Sequence, residues 1–310
     1  MKISFLGGGN MANALIGGLR KQGYSAAGIQ VVEPVAKLCE KLTDVYGVRC
    51  TSAIDQAAMN CEIWVLAVKP QQLREAIAPL KHRLNTQLVI SIAAGIRSSD
   101  ISRWLGNYAK VVRAMPNTPA LIGAGITGLY AGPGVDQEGR SSAEKILGAA
   151  GPTLWVDDEA QMDAVTAISG SGPGYVFYFM EALQKAAEDA GFDEAAARKL
   201  AVQTFLGAAR LAEHGDESPA VLRERVTSKG GTTEAALKSL DADGVAAAIL
   251  RATRAAQVRG VELGDELGDL PPSPLPKERG DAGSAAQSTA SDVNAVSALG
   301  RPGGRDSSAD

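Results

Sequence analysis

Three short stretches of this sequence hold residue types that could do chemistry. The first is Gly7-Gly8-Gly9-Asn10-Met11-Ala12, which puts Gly7, Gly9 and Ala12 in the spacing G-x-G-x-x-A. In that spacing the first glycine permits a tight turn, and the second lets backbone approach a pyrophosphate. The third small residue lets a helix pack close to a strand. The N–H groups and positive dipole end of the helix that follows would face the diphosphate of a dinucleotide. The other two stretches are Ser169-Gly170-Ser171-Gly172-Pro173-Gly174-Tyr175 and Val226-Thr227-Ser228-Lys229-Gly230-Gly231-Thr232-Thr233. Each sets hydroxyls and glycines ahead of an expected helix and so offers exposed N–H donors to an anion. Either alone could be an ordinary helix cap. Two such loops in one helical domain, facing a nicotinamide crevice, are better explained by a small carboxylate ligand.

The glycine turn needs a strand before it and a helix after it. Residues 2–6 read as a short buried strand, and Met11, Ala14, Leu15 and Leu19 repeat at helical spacing over 11–20. A second strand is expected at 29–33, a helix at 35–46, a strand near 48–50, a short helix at 54–59 and a clear buried strand at 62–68. Glu33 lies about twenty residues past the turn, where an acidic group accepts hydrogen bonds from an adenosine ribose and repels a 2′-phosphate. The alternative reading makes it a carboxylate that opens the helix at Pro34. The strand at 62–68 ends in Val68-Lys69-Pro70-Gln71, at the sheet edge where ligands bind in open α/β folds. Lys69 there reads as a phosphate or ribose contact or as a solvated lysine. Strands at 87–91 and 111–115 end in Ala93-Ala94-Gly95 and Pro116-Asn117-Thr118-Pro119, so three successive strand ends outline a crevice that admits a flat ring.

Strands at 126–130 and 153–156, separated by a helix at 137–149, finish the sheet. Beyond Glu159 the pattern is helical, at 162–168, 175–190, 194–213, 219–225, 233–240 and 245–262. These helices carry wide apolar stripes (Val176, Phe177, Met180 and Leu183, then Leu200, Phe205, Leu206 and Leu211), which predicts a homodimer or higher homo-oligomer built through this half. The fold class is therefore α/β. A Rossmann-type dinucleotide-binding domain spans residues 1–158, and an all-α helical-bundle domain for substrate and dimerisation spans 159–264. From Asp265 four prolines within six residues open a Ser, Ala and Gly mixture, which predicts a disordered tail over 265–310.

Of 35 acidic and 31 basic residues, eight acidic and four basic lie from Asp265 onward, so the body is neutral. That balance points to no nucleic acid and no membrane surface as partner. No apolar run reaches the roughly 18 residues of a membrane helix, and no signal peptide fits an N-terminus that is already a strand, so a cytoplasmic protein is expected. Cys39, Cys50 and Cys61 form no C-x-x-C pair and have no nearby histidine. They read as buried small hydrophobes in a reducing compartment, without a metal or disulfide role. His82 and His214 stand outside any motif and read as surface residues, and no metal site is visible.

Six stretches in order carry a resemblance. They are the Gly7 turn, Val68-Lys69-Pro70-Gln71, Ser91-Ile92-Ala93-Ala94-Gly95, Arg113-Ala114-Met115-Pro116-Asn117-Thr118-Pro119-Ala120, Asp163-Ala164-Val165-Thr166 with the Ser169 stretch, and residues 226–237. Together, from Lys2 to about Leu263, the chain resembles pyrroline-5-carboxylate reductase. The resemblance implies reduction of 1-pyrroline-5-carboxylate to L-proline by NADPH or NADH, the last step of proline synthesis. It implies that Ser228, Gly230, Gly231, Thr232 and Thr233 bind the substrate carboxylate and that Thr166 is the catalytic threonine at the ring nitrogen. It also implies that Gly7, Gly9, Asn10, Met11, Ala12, Glu33, Val68, Lys69, Pro70, Ala94 and Asn117 hold the cofactor. A protonated cyclic imine is already electrophilic, so hydroxyls and amides suffice where an alcohol dehydrogenase would need a base.

Three positions depart from the family pattern. Lys229 replaces a proline and either adds a cation near the carboxylate or points to solvent. Gly174 replaces an alanine. Ile54 falls where many members place an asparagine near the adenosine ribose, and with Glu33 it predicts a weaker NADPH preference than is common. Two rival readings are a different two-domain dehydrogenase with a helical second half and a nucleotide sensor that has lost catalysis.

Overall fold

The computed structural model describes residues 1–269. Its first strand, β1 (Ile3–Leu6), is wholly buried, and Gly7 turns the chain into α1 (Asn10–Lys21). There follow β2 (Ile29–Val32), α2 (Ala36–Tyr46), β3 (Arg49–Thr51), α3 (Gln56–Met59), β4 (Ile63–Leu66), α4 (Pro70–Ile77) and β5 (Leu88–Ser91). Next come α5 (Ser98–Trp104), β6 (Val111–Pro116), β7 (Thr127–Ala131), α6 (Gln137–Leu147) and β8 (Thr153–Val156). The strands form one sheet in the order β3-β2-β1-β4-β5-β6-β7-β8, parallel except where β6 meets β7.

Helices cover both faces, so the central strands read as continuous apolar runs, and each face has its own core. Leu15, Ile16 and Leu19 of α1 pack with Ile3, Phe5 and Val65 on one side. Leu73, Ile77, Ile101 and Trp104 of α4 and α5 pack with Leu6, Trp64 and Leu66 on the other. The chain winds outward from β1 to β3 and then returns to place β4 on β1's free side, which makes the β1/β4 boundary the switch point. The pairs Leu6↔Val32, Leu6↔Leu66 and Leu66↔Ser91 bring four strand ends level there. β6 runs further: Arg113 is level with Ser91, and Ala114, Met115 and Pro116 continue past the edge.

The helical half comprises α7 (Gln161–Val165), a π-turn (Thr166–Gly170), α8 (Gly172–Asp189), α9 (Glu194–His214), α10 (Pro219–Arg225), α11 (Thr232–Ala242) and α12 (Val245–Asp269). α8 packs on α9, while α12 packs on α7 and the π-turn. Apolar side chains stay outside, among them Phe177 at 62%, Leu211 at 66% and Leu250 at 72% exposure. Among the described residues no helix is long and apolar enough to cross a membrane.

Three expectations are corrected here. The Ser169 to Tyr175 stretch is not a loop with free donors, because the chain stays helical from α7 through the π-turn into α8. There the Ser171 N–H donates to the Thr166 carbonyl at 2.8 Å and the Gly174 N–H to the Ser171 carbonyl at 2.9 Å. The tail does not begin at Asp265, since α12 continues through Asp269. Leu263 and Leu267 join the core around α5, and Arg97 pairs with Asp265 at 2.6 Å. Tertiary contact with the nucleotide-binding half holds these residues helical beyond their local pattern; the rest of the expected tail, 270–310, lies outside the described residues.

The third correction concerns the cysteines. Cys39 on α2 and Cys50 on β3 form a disulfide, while Cys61 is free and buried, its thiol pushed up by that burial. Gly47, left-handed at φ 69°, ends α2 and reverses the chain, which brings the two Cα atoms to 5.5 Å. Sequence spacing alone does not disclose that reversal. Closing so short a loop restricts the unfolded chain by about 2–3 kcal/mol. Reduction should therefore lower Tm by about 4–10 °C for a chain of this size. Calorimetry with and without a phosphine reductant measures it, and an unchanged Tm would show that the bond contributes no stability.

Candidate functional site

At the switch point the glycines have distinct reasons to be glycine. Gly7 sits at φ 99°, and a Cβ there would lie 2.7 Å from the Ala67 carbonyl oxygen. A side chain is excluded by backbone on the neighbouring strand end. A Cβ on Gly9 would meet no described atom within 4 Å. The space over Gly9 is open, and Gly9 caps α1 without any side-chain hydrogen bond or acidic residue in the first turn. By contrast Asp55, Asp136, Asp193 and Ser218 cap α3, α6, α9 and α10 with their own oxygens. α1 therefore presents an uncapped, positively polarised end under open space, which fits a diphosphate. Ala12 is fully buried beneath it, as close packing of helix on sheet requires.

Glu33 is 7% exposed, with one carboxylate oxygen accepting from the Gly8 N–H at 2.8 Å and the other from the Val35 N–H at 2.9 Å. The helix-opening reading is not realised, since α2 starts at Ala36 without a side-chain cap and Pro34 lies outside it; these bonds instead fix a negative charge beside the glycine turn. Each oxygen retains a second lone pair for a ribose hydroxyl. Ile54 is half-buried against the neighbouring core. Val68 lies against the Gly7 turn, Lys69 caps α4 from an exposed position and Pro70 opens that helix. Ala94 follows β5 at the same edge, so the structure brings the Gly7 to Ala12 turn, Glu33, the Val68-Lys69-Pro70 turn and Ala94 to the carboxyl ends of four adjacent strands.

Asn117 follows directly on β6. Its side-chain nitrogen donates to the Ser169 carbonyl at 3.1 Å and its oxygen accepts from the Ile126 N–H at 3.0 Å. Both ends of the amide are engaged by protein. Thr166 lies in the π-turn so attached, its hydroxyl donating to the Met162 carbonyl at 2.8 Å. A π-turn at this point is the kind of helix irregularity that accompanies functional sites.

Sequence reasoning missed the buried ion cluster beneath the π-turn. Arg113 is 3% exposed and reaches Asp163 at 3.1 Å and Glu159 at 3.4 Å. Glu159 also accepts from the Ser98 N–H at 2.6 Å and the Ser98 hydroxyl at 2.7 Å, so it caps α5. A lone arginine in Val111-Val112-Arg113-Ala114-Met115 was the available signal, because a charge on a buried strand must find a partner. Which partner it found depends on how α7 docks.

The remaining predicted residues lie in the helical half, at the start of α11. α11 begins at Gly231, again a glycine cap without a side-chain bond. Ser228, Lys229, Gly230 and Thr232 are exposed. Gly230 is left-handed at φ 73°, and its N–H donates to the Glu234 carboxylate. That bond and Lys238 hold the Glu234 carboxyl below its ordinary range, the lysine being the larger cause. His82 and His214 are exposed.

Comparison with known proteins places this geometry. Residues 159–263 match the family model described as pyrroline-5-carboxylate reductase dimerisation, and residues 2–95 match one described as NADP oxidoreductase, coenzyme F420-dependent. The pyrroline-5-carboxylate reductase of Pseudomonas aeruginosa is 45% identical, over 86% of this chain and 98% of that protein. That of Haemophilus influenzae is 43% identical, over 84% and 97%. Among solved structures, a pyrroline-5-carboxylate reductase from Coxiella burnetii superposes with a TM-score of 0.81 at 42% identity, over 84% of this chain and 98% of the other. A Plasmodium falciparum pyrroline carboxylate reductase with NADP bound gives 0.76 at 28% identity, over 85% and 98%. Relatives at this identity, aligned across both the glycine-capped crevice and the exposed helical half, show that the chain belongs to the pyrroline-5-carboxylate reductase family.

Proposed function

We propose that the chain reduces 1-pyrroline-5-carboxylate to L-proline with NADPH or NADH, closing proline synthesis. The uncapped start of α1 under the open space at Gly9 is the observation that carries the cofactor half of this reading. Gly9, Asn10, Met11 and Ala12 take the diphosphate on backbone N–H groups, and Gly7, whose own N–H donates to the Val32 carbonyl at 2.8 Å, makes the turn that presents them. Glu33 takes the adenosine ribose, with Val68, Lys69, Pro70 and Ala94 along the crevice. When bound, the reduced nicotinamide supplies the hydride.

The chain's own residues hold the imine and its proton. The Thr166 hydroxyl spends its hydrogen on the Met162 carbonyl, so its oxygen is free to accept from the protonated ring nitrogen. Holding that proton on nitrogen keeps the adjacent carbon electrophilic. Ser228, Gly230, Gly231, Thr232 and Thr233 take the carboxylate at the glycine-capped start of α11, where the substrate displaces the Glu234 carboxylate from the Gly230 N–H and Gly231, bonded to the Ser228 carbonyl, shapes the turn. Catalysis is then mostly orientation of carbon against ring. Lys229, exposed, is assigned to solvent.

The dimerisation-family match supports homo-oligomerisation through the helical half. We infer a homodimer or a larger assembly in which a second chain covers the apolar face and brings its 226–233 loop to the crevice. Residence in the cytoplasm belongs to the same proposal; there the Cys39–Cys50 bond would meet a reducing environment.

Purified protein with 1-pyrroline-5-carboxylate should consume NADPH or NADH at rates on the order of tens per second. Separate assays rank the cofactors. The fixed charge of Glu33 should keep the NADPH advantage in kcat/KM below about a hundredfold, or about 2.7 kcal/mol. A larger ratio would remove Glu33 as a discriminator. Folded protein that binds cofactor yet turns over no imine would remove the reaction itself.

A further inference from the structure

Two polar groups on one strand flank the catalytic threonine's turn. Arg113 and Asn117, at the edge of β6 and just beyond it, lie four residues apart. Arg113 holds Asp163, three residues before Thr166, and Asn117 holds the carbonyl of Ser169, three residues after it. Between these points the π-turn is pressed onto the sheet. A Cβ on Gly170 would lie 2.5 Å from the Met115 methyl, and one on Gly128 would lie 2.5 Å from a Val165 methyl. The same clasp reaches outward, because Glu159 joins Arg113 to the start of α5.

We propose that Arg113 and Asn117 are positioning residues that fix the Thr166 hydroxyl relative to the nicotinamide crevice. The inference rests on the proposed role of Thr166. The physical case is that a π-turn carries one residue more per turn than the helices it joins, so its register is not set by its own ladder. Tethering it on both sides of Thr166 selects one register. Arg113 suits its end because its planar fork engages two carboxylates at once, which a lysine ammonium on a flexible stem does not reproduce. Asn117 suits the other because one amide both donates to Ser169 and accepts from Ile126.

Asn117→Asp separates those two bonds. The carboxylate still accepts from Ile126 but has no hydrogen for the Ser169 carbonyl. The variant is expected to lose about ten- to a hundredfold in kcat, as misplacement near the chemistry does, with cofactor Kd and substrate KM within about threefold. Arg113→Lys is expected to do the same from the other side, with part of the rate retained relative to Arg113→Met. Amide exchange across residues 166–171 should quicken in each variant, a readout that needs no substrate and survives failure of the proposed reaction. Unchanged kcat and unchanged exchange in folded Asn117→Asp overturn the proposal, whether or not the Arg113 variants fold. A loss of cofactor affinity parallel to the loss of rate also overturns it and returns Asn117 to the cofactor wall.

Discussion

Gly9→Val is expected to fold with the wild-type Tm and to bind NADPH at least about a hundredfold more weakly. Gly9 has φ −70° and ψ −171°, a conformation valine adopts without strain. The space its side chain would enter is open. The added methyls stand where the diphosphate must approach the first N–H groups of α1, so affinity falls while the fold is untouched. Gly7→Ala is the opposite control. Its Cβ would press on the Ala67 carbonyl at a backbone angle that disfavours side chains, so it should cost stability, by roughly 2–4 kcal/mol. Thermal melts beside fluorescence titration of the reduced cofactor distinguish the two. Tight binding by folded Gly9→Val would place the diphosphate elsewhere.

The second large effect concerns the uncovered helices. Phe177 and Leu250 are 62% and 72% exposed in one chain, and α8 and α11 have no buried residue among those described. Apolar faces of this extent are covered by association. Phe177→Glu with Leu250→Glu should leave the protein as single chains in sedimentation, since a desolvated carboxylate at each centre opposes burial. Turnover should fall by about a hundredfold or more, because the 226–233 loop then no longer reaches a crevice. Cofactor binding should persist, since the crevice is built from residues of the nucleotide-binding half. Single chains with full turnover would show that one chain completes its own site.

Much of this molecule is legible from local pattern. The strand, glycine turn and helix at the N-terminus, the acidic residue after β2 and the small turns after β4 and β5 are set by steric needs that act within a few residues. Strands β5 to β8 and α10 were likewise readable within a residue or two. The stretches that misread are those whose state depends on distant partners. Ser169 to Tyr175 has the composition of a loop, and packing of Gly170 against Met115 with tethering of Ser169 to Asn117 keeps it helical. Asp265 to Asp269 has the polarity of a tail, and Arg97, the core around α5, Arg103 on the Gly268 carbonyl and Arg259 on Glu266 hold it in α12. Cys39 and Cys50 sit eleven residues apart, and only the reversal at Gly47 joins them.

The sequence by itself determined the strand, glycine turn and helix around Gly7 to Ala12 and that the second half is helical, because glycine spacing and apolar period are properties of neighbours along the chain. The tertiary structure decided where Thr166 stands. Its position is fixed by Arg113 and Asn117, which are about fifty residues away in sequence and meet their partners only when α7 docks on β6. A buried charge or amide must be paired, but the chain does not name the partner until it has folded.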